Sequence, residues 1–184
     1  MKRRTATRTA LVTMGLLSLA ACIVNLSFDM RKTVPIQTQG PASNFSQNVL
    51  VNLNDYKEIT DHKDSIDSFS FDSVDATVTT INQANTATHV SGTLALRQTL
   101  TDTAHDVPVG SINNPAAIAV GWTMNIKGNP ALDAFLLQQI KSAGAGGSAG
   151  TFYAVITNGS VDGVADLVLS LTLHVSIGYN AGVL

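Results

Sequence analysis

At 184 residues, with 11 Lys and Arg against 13 Asp and Glu, one cysteine and 13% charged side chains, the chain excludes several classes at once. It is long enough to bury a core without crosslinks, and a lone cysteine leaves no internal disulfide. The net charge of −2 argues against nucleic acid and against electrostatic docking on anionic lipid.

The first eight residues carry Lys2, Arg3, Arg4 and Arg8 with no acid, and an apolar run follows from Ala10 to Leu19, interrupted by Thr13, Gly15 and Ser18. That run is about half of the ~20 residues a membrane-spanning helix needs. A basic start, a short apolar run and small residues at its end make a secretory signal rather than a permanent span. The run closes on Leu19-Ala20-Ala21-Cys22, where Cys22 is the one cysteine of the chain.

This tetrapeptide resembles the lipobox of bacterial lipoproteins. The resemblance implies that the Cys22 thiol receives a diacylglyceryl group, that a peptidase cuts before it, and that the new amine is acylated. Arg3-Arg4 is followed by Thr5-Ala6-Thr7, without the apolar residue expected after a twin-arginine pair. Ile23 stands where an aspartate would retain an enteric lipoprotein in the inner membrane, so the resemblance implies the outer membrane. It covers residues 1–22 and says nothing of the rest. Removal of residues 1–21 takes four bases and no acid, leaving 163 residues and a formal charge of −6.

Residues 22–43 include Pro35, Gln37, Gln39, Gly40, Pro41 and Ser43 and read as a flexible tether of roughly 25 Å root-mean-square reach. The alternative is an edge strand over Ile23 to Phe28. A single β-rich domain is expected over residues 44–184. Val49, Val51 and Leu53 alternate with Asn48 and Asn52 as a strand, and Asn54 or Asp55 caps a short helix over about 55–65. In "SFSFDSVDATVTTI" the apolar residues move from odd positions (Phe69, Phe71) to even ones (Val74, Ala76, Val78), which predicts a bulge near Asp72-Ser73. Turn residues separate this from a strand presenting Val90, Leu94 and Leu96, with Gly92 on the same face marking a close approach.

A loop is expected from Thr101 to Pro115, then a strand alternating through Ile118, Val120, Trp122, Met124 and Ile126. Asn129-Pro130 is a helix start, and Leu132, Phe135, Leu136 and Ile140 share one face of a helix over about 130–143 that Gly144 would cap. The glycine-rich stretch 143–150 reads as a mobile loop. Two last strands, around Phe152–Thr157 and Val164–Gly178, are separated by Asn158-Gly159 and Asp162-Gly163. In the second, Leu167, Leu169, Leu171, Leu173, Val175 and Ile177 alternate with residues that are polar except Val168. Such a long period of two means one buried and one wet face. Six or seven strands and one amphipathic helix predict a mainly β fold, either an antiparallel β-sandwich or a curved sheet folded over the helix.

Signals for chemistry are thin. Asp55, Glu58, Asp61, Asp64, Asp67, Asp72 and Asp75 could supply oxygen ligands to calcium, but their spacing matches no calcium loop and Lys57 and Lys63 lie among them. A solvated acidic face is the plainer reading. Asp61, His62 and Asp64 are the least implausible metal ligands, yet His62, His89, His105 and His174 form no H-x-x-x-H pair. "GSAG" and "NGSVDG" lack the strand-to-helix context of a nucleophile elbow. No catalytic residue and no cofactor are assigned. Trp122 shares parity with core residues, and Tyr153 could face either way.

The leading expectation is therefore a lipoprotein of the outer membrane, joined to the membrane through its lipid. Its β-sandwich would be a non-enzymatic structural module, or one that binds an envelope protein, at the periplasmic face. A carrier of lipid or another apolar ligand would require an apolar cavity with an open mouth. A hydrolase or metalloenzyme would require several of the named polar residues to converge in a cleft.

Overall fold

The alternation read from Leu167 to Ile177 lies in the strand β8 (Asp166–Asn180), and all six inward side chains are at most 2% exposed. β8 can bury one face so completely because it is not at an edge. It pairs antiparallel with β1 (Ile23–Gln37) on one side and with β3 (Ile66–Ile81) on the other. The computed structural model describes residues 23–40, 43–114, 117–143 and 150–181. The remaining strands among them are β2 (Asn44–Asn52), β4 (Val90–Arg97), β5 (Val107–Asn113), β6 (Thr123–Lys127) and β7 (Thr151–Val161). Two α-helices, α1 (Lys57–Thr60) and α2 (Pro130–Ser142), and two 3-10 turns, Leu53–Asp55 and Thr103–His105, complete the regular structure there.

The strands form two four-stranded sheets, in the orders β1-β8-β3-β6 and β2-β7-β4-β5, with every ladder antiparallel. Pairing is nested about the β4–β5 connection: β4 with β5, β3 with β6, β2 with β7 and β1 with β8. A long antiparallel hairpin wrapped into two sheets in this way is an eight-stranded jelly roll, one form of the expected β-sandwich. Side chains of both sheets and of α2 meet in one apolar cluster, including Met30, Ile36, Phe71, Leu94, Leu136, Phe152 and Leu171.

Several local expectations are corrected. The tether expected over 22–43 is replaced by β1 from Ile23, paired residue for residue with β8 from Ile23↔Asn180 to Gln37↔Asp166. The edge-strand alternative was right in kind and too short. Val24, Leu26, Phe28, Met30, Val34 and Ile36 share one parity, broken only by Lys32. Lys32 is itself largely buried: its ammonium lies 3.7 Å from Asp55 and 5.8 Å from the centre of the Tyr56 ring, so its stem covers apolar surface. Pro35 is tolerated because β1 is an edge strand.

The short helix expected over 55–65 shrinks to α1, preceded by a 3-10 turn, Leu53–Asp55, whose N-cap is Asn52. Within the loop expected from Thr101 to Pro115, Val107–Asn113 forms β5, whose alternation is hidden by a bulge opposite Leu94 and Ala95. The strand expected from Ile118 is cut to β6. Gly121 takes a φ of +88° and the Trp122 N–H closes a turn onto the Ala119 carbonyl at 3.0 Å, leaving Val120 exposed. Asn158-Gly159 is not a separator: Asn158 adopts a φ of +51° as a bulge inside β7.

Other expectations hold. The β3 ladder with β8 shifts register between Phe71 and Ser73, as the phase change required. The bulge has a use, because the Phe71 N–H turns to donate to the Asp133 carboxylate of α2 at 2.7 Å, and the Gly128 N–H donates to the Asp72 carbonyl at 3.0 Å. A Cβ on Gly128 would fall 1.6 Å from the Phe71 oxygen, so only glycine lets the chain cross there. Asn129 caps α2 by accepting from the N–H groups of Ala131 and Leu132, and Leu132, Leu136 and Ile140 are fully buried. At Gly92 a Cβ would meet Ile156 at 2.8 Å, the close approach expected. Gly144 lies outside the described residues, as does the glycine-rich stretch up to residue 149.

The parity of β8 is directly testable. Leu171→Asp buries an unpaired carboxylate between the sheets and is expected to cost about 4 kcal/mol or more, or to prevent folding. Thr172→Asp, facing outward between Arg31 and Asp75, is expected to cost about 1 kcal/mol or less. Urea unfolding of both variants checks this, and equal losses would show the assignment of faces to be wrong.

Candidate functional site

The outward residues of β8 are mainly polar, and His174 sits at the middle of that face. Pairing places Asp29 of β1 on one side of it and the Ser73–Asp75 stretch of β3 on the other. His174 Nδ1 lies 2.8 Å from Asp29 Oδ1, and Nε2 lies 3.0 Å from Asp75 Oδ2. Asn125 of β6 donates to the other oxygen of Asp75 at 2.7 Å. One polar row thus crosses all four strands of the sheet. Beside it, the Ser27 and Ser176 hydroxyls are 2.9 Å apart, and Ser176 and Ser70 both donate to Asp72 at 2.8 Å. Ser27, Asp29, Asp72 and His174 line a shallow open depression with Phe28 and Val175.

The electrostatics follow from the geometry. A carboxylate only accepts, so an imidazole between two of them is best served when both its nitrogens carry protons. The Asp75 hydrogen bond raises the His174 pKa above 6.5; partial burial opposes it, and Asp29 adds to it. The His174 hydrogen bond holds Asp29 below its ordinary 3.8, and Asn125, then His174, do the same for Asp75. Both ring nitrogens of His174 are thus engaged by carboxylates of the neighbouring strands. The Ser27 and Ser176 hydroxyls bond to one another, and Ser176 donates to Asp72. The arrangement is a clamp that fastens the edge strand to the centre of its sheet.

Of the residues singled out in the sequence, Asp61 is ion-paired with Lys57 one helical turn away, and the His62 ring stacks on Tyr179 at 3.9 Å and 13°. Asp64 is exposed. No group of three or more His, Cys, Asp or Glu side chains able to hold a metal ion occurs among the described residues. The acidic segment is divided between places: Asp55 faces Lys32 and Asn52, while Asp72 and Asp75 belong to the outer face of β3. Cys22 lies outside the described residues. Trp122 packs against the core, and Tyr153 is half-buried between the buried Phe152 and Ala154.

Carboxylates partner three of the four histidines: besides His174, His89 lies 3.0 Å from Asp162 and His105 lies 2.7 Å from Asp102. Asp162 also accepts from the Thr88 hydroxyl and from the N–H groups of Thr88 and His89, which pull its pKa far below the carboxylate range. Arg97 forms a two-pronged pair with Asp106 at 2.6 and 2.7 Å, tying β4 to the start of β5. Sequence reasoning placed His174 on the wet face of its strand but not its partners, because Asp29 fell in the supposed tether.

No protein-family model and no curated protein sequence matches the chain. Among solved structures it is similar to the decameric BFDV capsid protein, at 14% identity over 85% of this chain and 99% of that one, with a TM-score of 0.44. Turnip yellow mosaic virus follows at 11% identity, 97% and 91% coverage and a TM-score of 0.39. Desmodium yellow mottle tymovirus gives 10% identity, 98% and 96% coverage and a TM-score of 0.36.

The clamp predicts a pH profile. A raised histidine pKa stabilises the fold fully below the unfolded value of 6.5 and loses its effect as pH climbs through the folded value. Depressed carboxylates stabilise it above 3.8 and lose their effect as pH falls through the folded values. The melting temperature is therefore expected to be highest from about pH 4 to 6.5 and to decline on either side. His174→Gln should melt a few degrees lower at pH 6 and flatten the alkaline decline. An unchanged alkaline limb in this variant would remove His174 as its source.

Proposed function

We propose that the chain is a bacterial lipoprotein of the outer membrane whose jelly roll serves the cell envelope as a non-enzymatic structural or protein-binding module. The observation that carries this reading is Leu19-Ala20-Ala21-Cys22 at the end of a basic and then apolar leader. The thiolate of Cys22 is the nucleophile that takes the lipid, and no other side chain of the chain can replace it. The polar groups of the outer sheet face support a structural role over a catalytic one, since His174, Asp29 and Asp75 satisfy one another. The partner expected is another envelope protein, met by the surface of the sandwich.

Labelled palmitate fed to cells should enter the protein and fail to enter Cys22→Ser. Equal labelling of both would contradict the lipoprotein reading. Crosslinking in cells followed by mass spectrometry should then capture an envelope protein with the wild type and lose it with the unlipidated variant.

A further inference from the structure

Cys22 is bonded directly to Ile23, and Ile23 is already the first residue of β1. Consecutive Cα atoms are about 3.8 Å apart, so no slack separates the cysteine from the sheet. The pairing has no slack either: Ile23 lies opposite Asn180 and Val24 opposite Tyr179. This end of the sheet is held firmly. The Asn180 N–H donates to the Ser65 carbonyl at 2.9 Å, and the Tyr179 ring stacks on His62. It also exposes apolar surface, with Ile23 at 62% and Val24 at 38%.

We infer that this end of the domain, formed by the start of β1, the end of β8 and the turn over residues 61–65, lies against the lipid bilayer in a fixed orientation, with Ile23 and Val24 in the headgroup layer. The inference rests on the lipid anchor proposed above. Acyl chains on Cys22 occupy the hydrocarbon, which leaves its backbone at headgroup level. One peptide unit further on, the chain is already committed to a ladder of 15 paired residues in β1. A tether of some twenty residues would let the domain tumble; a single residue does not. The far end of the same ladder, where Gln37 meets Asp166 beside the turn at Asn82–Asn85, is about 50 Å away at ~3.3 Å per residue.

The charges at the near end define the kind of surface it fits. Asp61 is neutralised by Lys57, and exposed Asp64 and Asp67 outnumber Lys63. Such a surface sits more readily on uncharged lipid headgroups than on anionic ones.

The test uses the full lipidated protein in phosphatidylcholine vesicles, with the acyl mass verified. Because the Cys22 thiol is acylated, a nitroxide can be attached at Asp64→Cys or, at the far end, at Ala84→Cys. Position 64 is expected to be severalfold less accessible to a water-soluble nickel chelate than position 84, and more accessible to oxygen. Ten Gly-Ser residues inserted between Cys22 and Ile23 should make position 64 as water-accessible as 84 while the acyl mass persists. Acylated protein in which positions 64 and 84 are equally water-exposed without the insertion would overturn the orientation alone. Absence of the acyl mass would overturn the anchor and the orientation together.

Discussion

The structure depends on the burial of one face of β8. Six aliphatic side chains on that face can leave water only if β1 and β3 flank the strand and the second sheet covers it. This constraint makes the fold non-local. Asp29 and His174, which touch across the β1–β8 ladder, are 145 residues apart in sequence. The nested pairs can close from the β4–β5 hairpin outward, with β1 and β8 the most distant in sequence. Topologies of this kind pay loop-closure entropy before the last contacts return it, so slow folding follows from the architecture.

The outer face of the same sheet solves a second problem. An edge strand is the least constrained element of a sheet and invites pairing with other chains. Here β1 is an edge strand, and its outward Asp29 is drawn to β8 by His174, which also reaches β3. On the inner side Lys32, with its head at Asp55 and Tyr56, places a charge where a flat apolar edge would otherwise run. An inward-pointing charge of this sort discourages edge-to-edge association. If the lipid anchor is attached one residue before β1, a load on the anchor passes into the β1–β8 ladder, and the His174 clamp lies within that path.

How much of this could be read in advance depended on whether the determining signal was local. The alternation of β8, the phase change at Asp72-Ser73 and the Asn129-Pro130 helix start are each written in a few neighbouring residues, and each is found where expected. β1 was read no further than an alternative edge strand over Ile23 to Phe28 because Lys32 interrupts its alternation, and the reason Lys32 is tolerated lies at Asp55 and Tyr56, outside β1. The strand expected from Ile118 begins only at Thr123 because one glycine, Gly121, turns the chain against a clean alternation. The clamp was illegible for a related reason. Asp29, His174, Asp75 and Asn125 come together only through the strand order of the sheet, which no spacing along the chain encodes.

The claim on which the rest stands is that residues 23–37 are an integral strand of the sandwich and not a tether. Amide hydrogen exchange of the intact protein measures this directly. The account predicts that the β1 amides facing β8 exchange as slowly as those of the β3–β8 ladder, within the same cooperative unit. Exchange of residues 23–37 at the rate of an unstructured peptide, with β3 and β8 still protected, would contradict it.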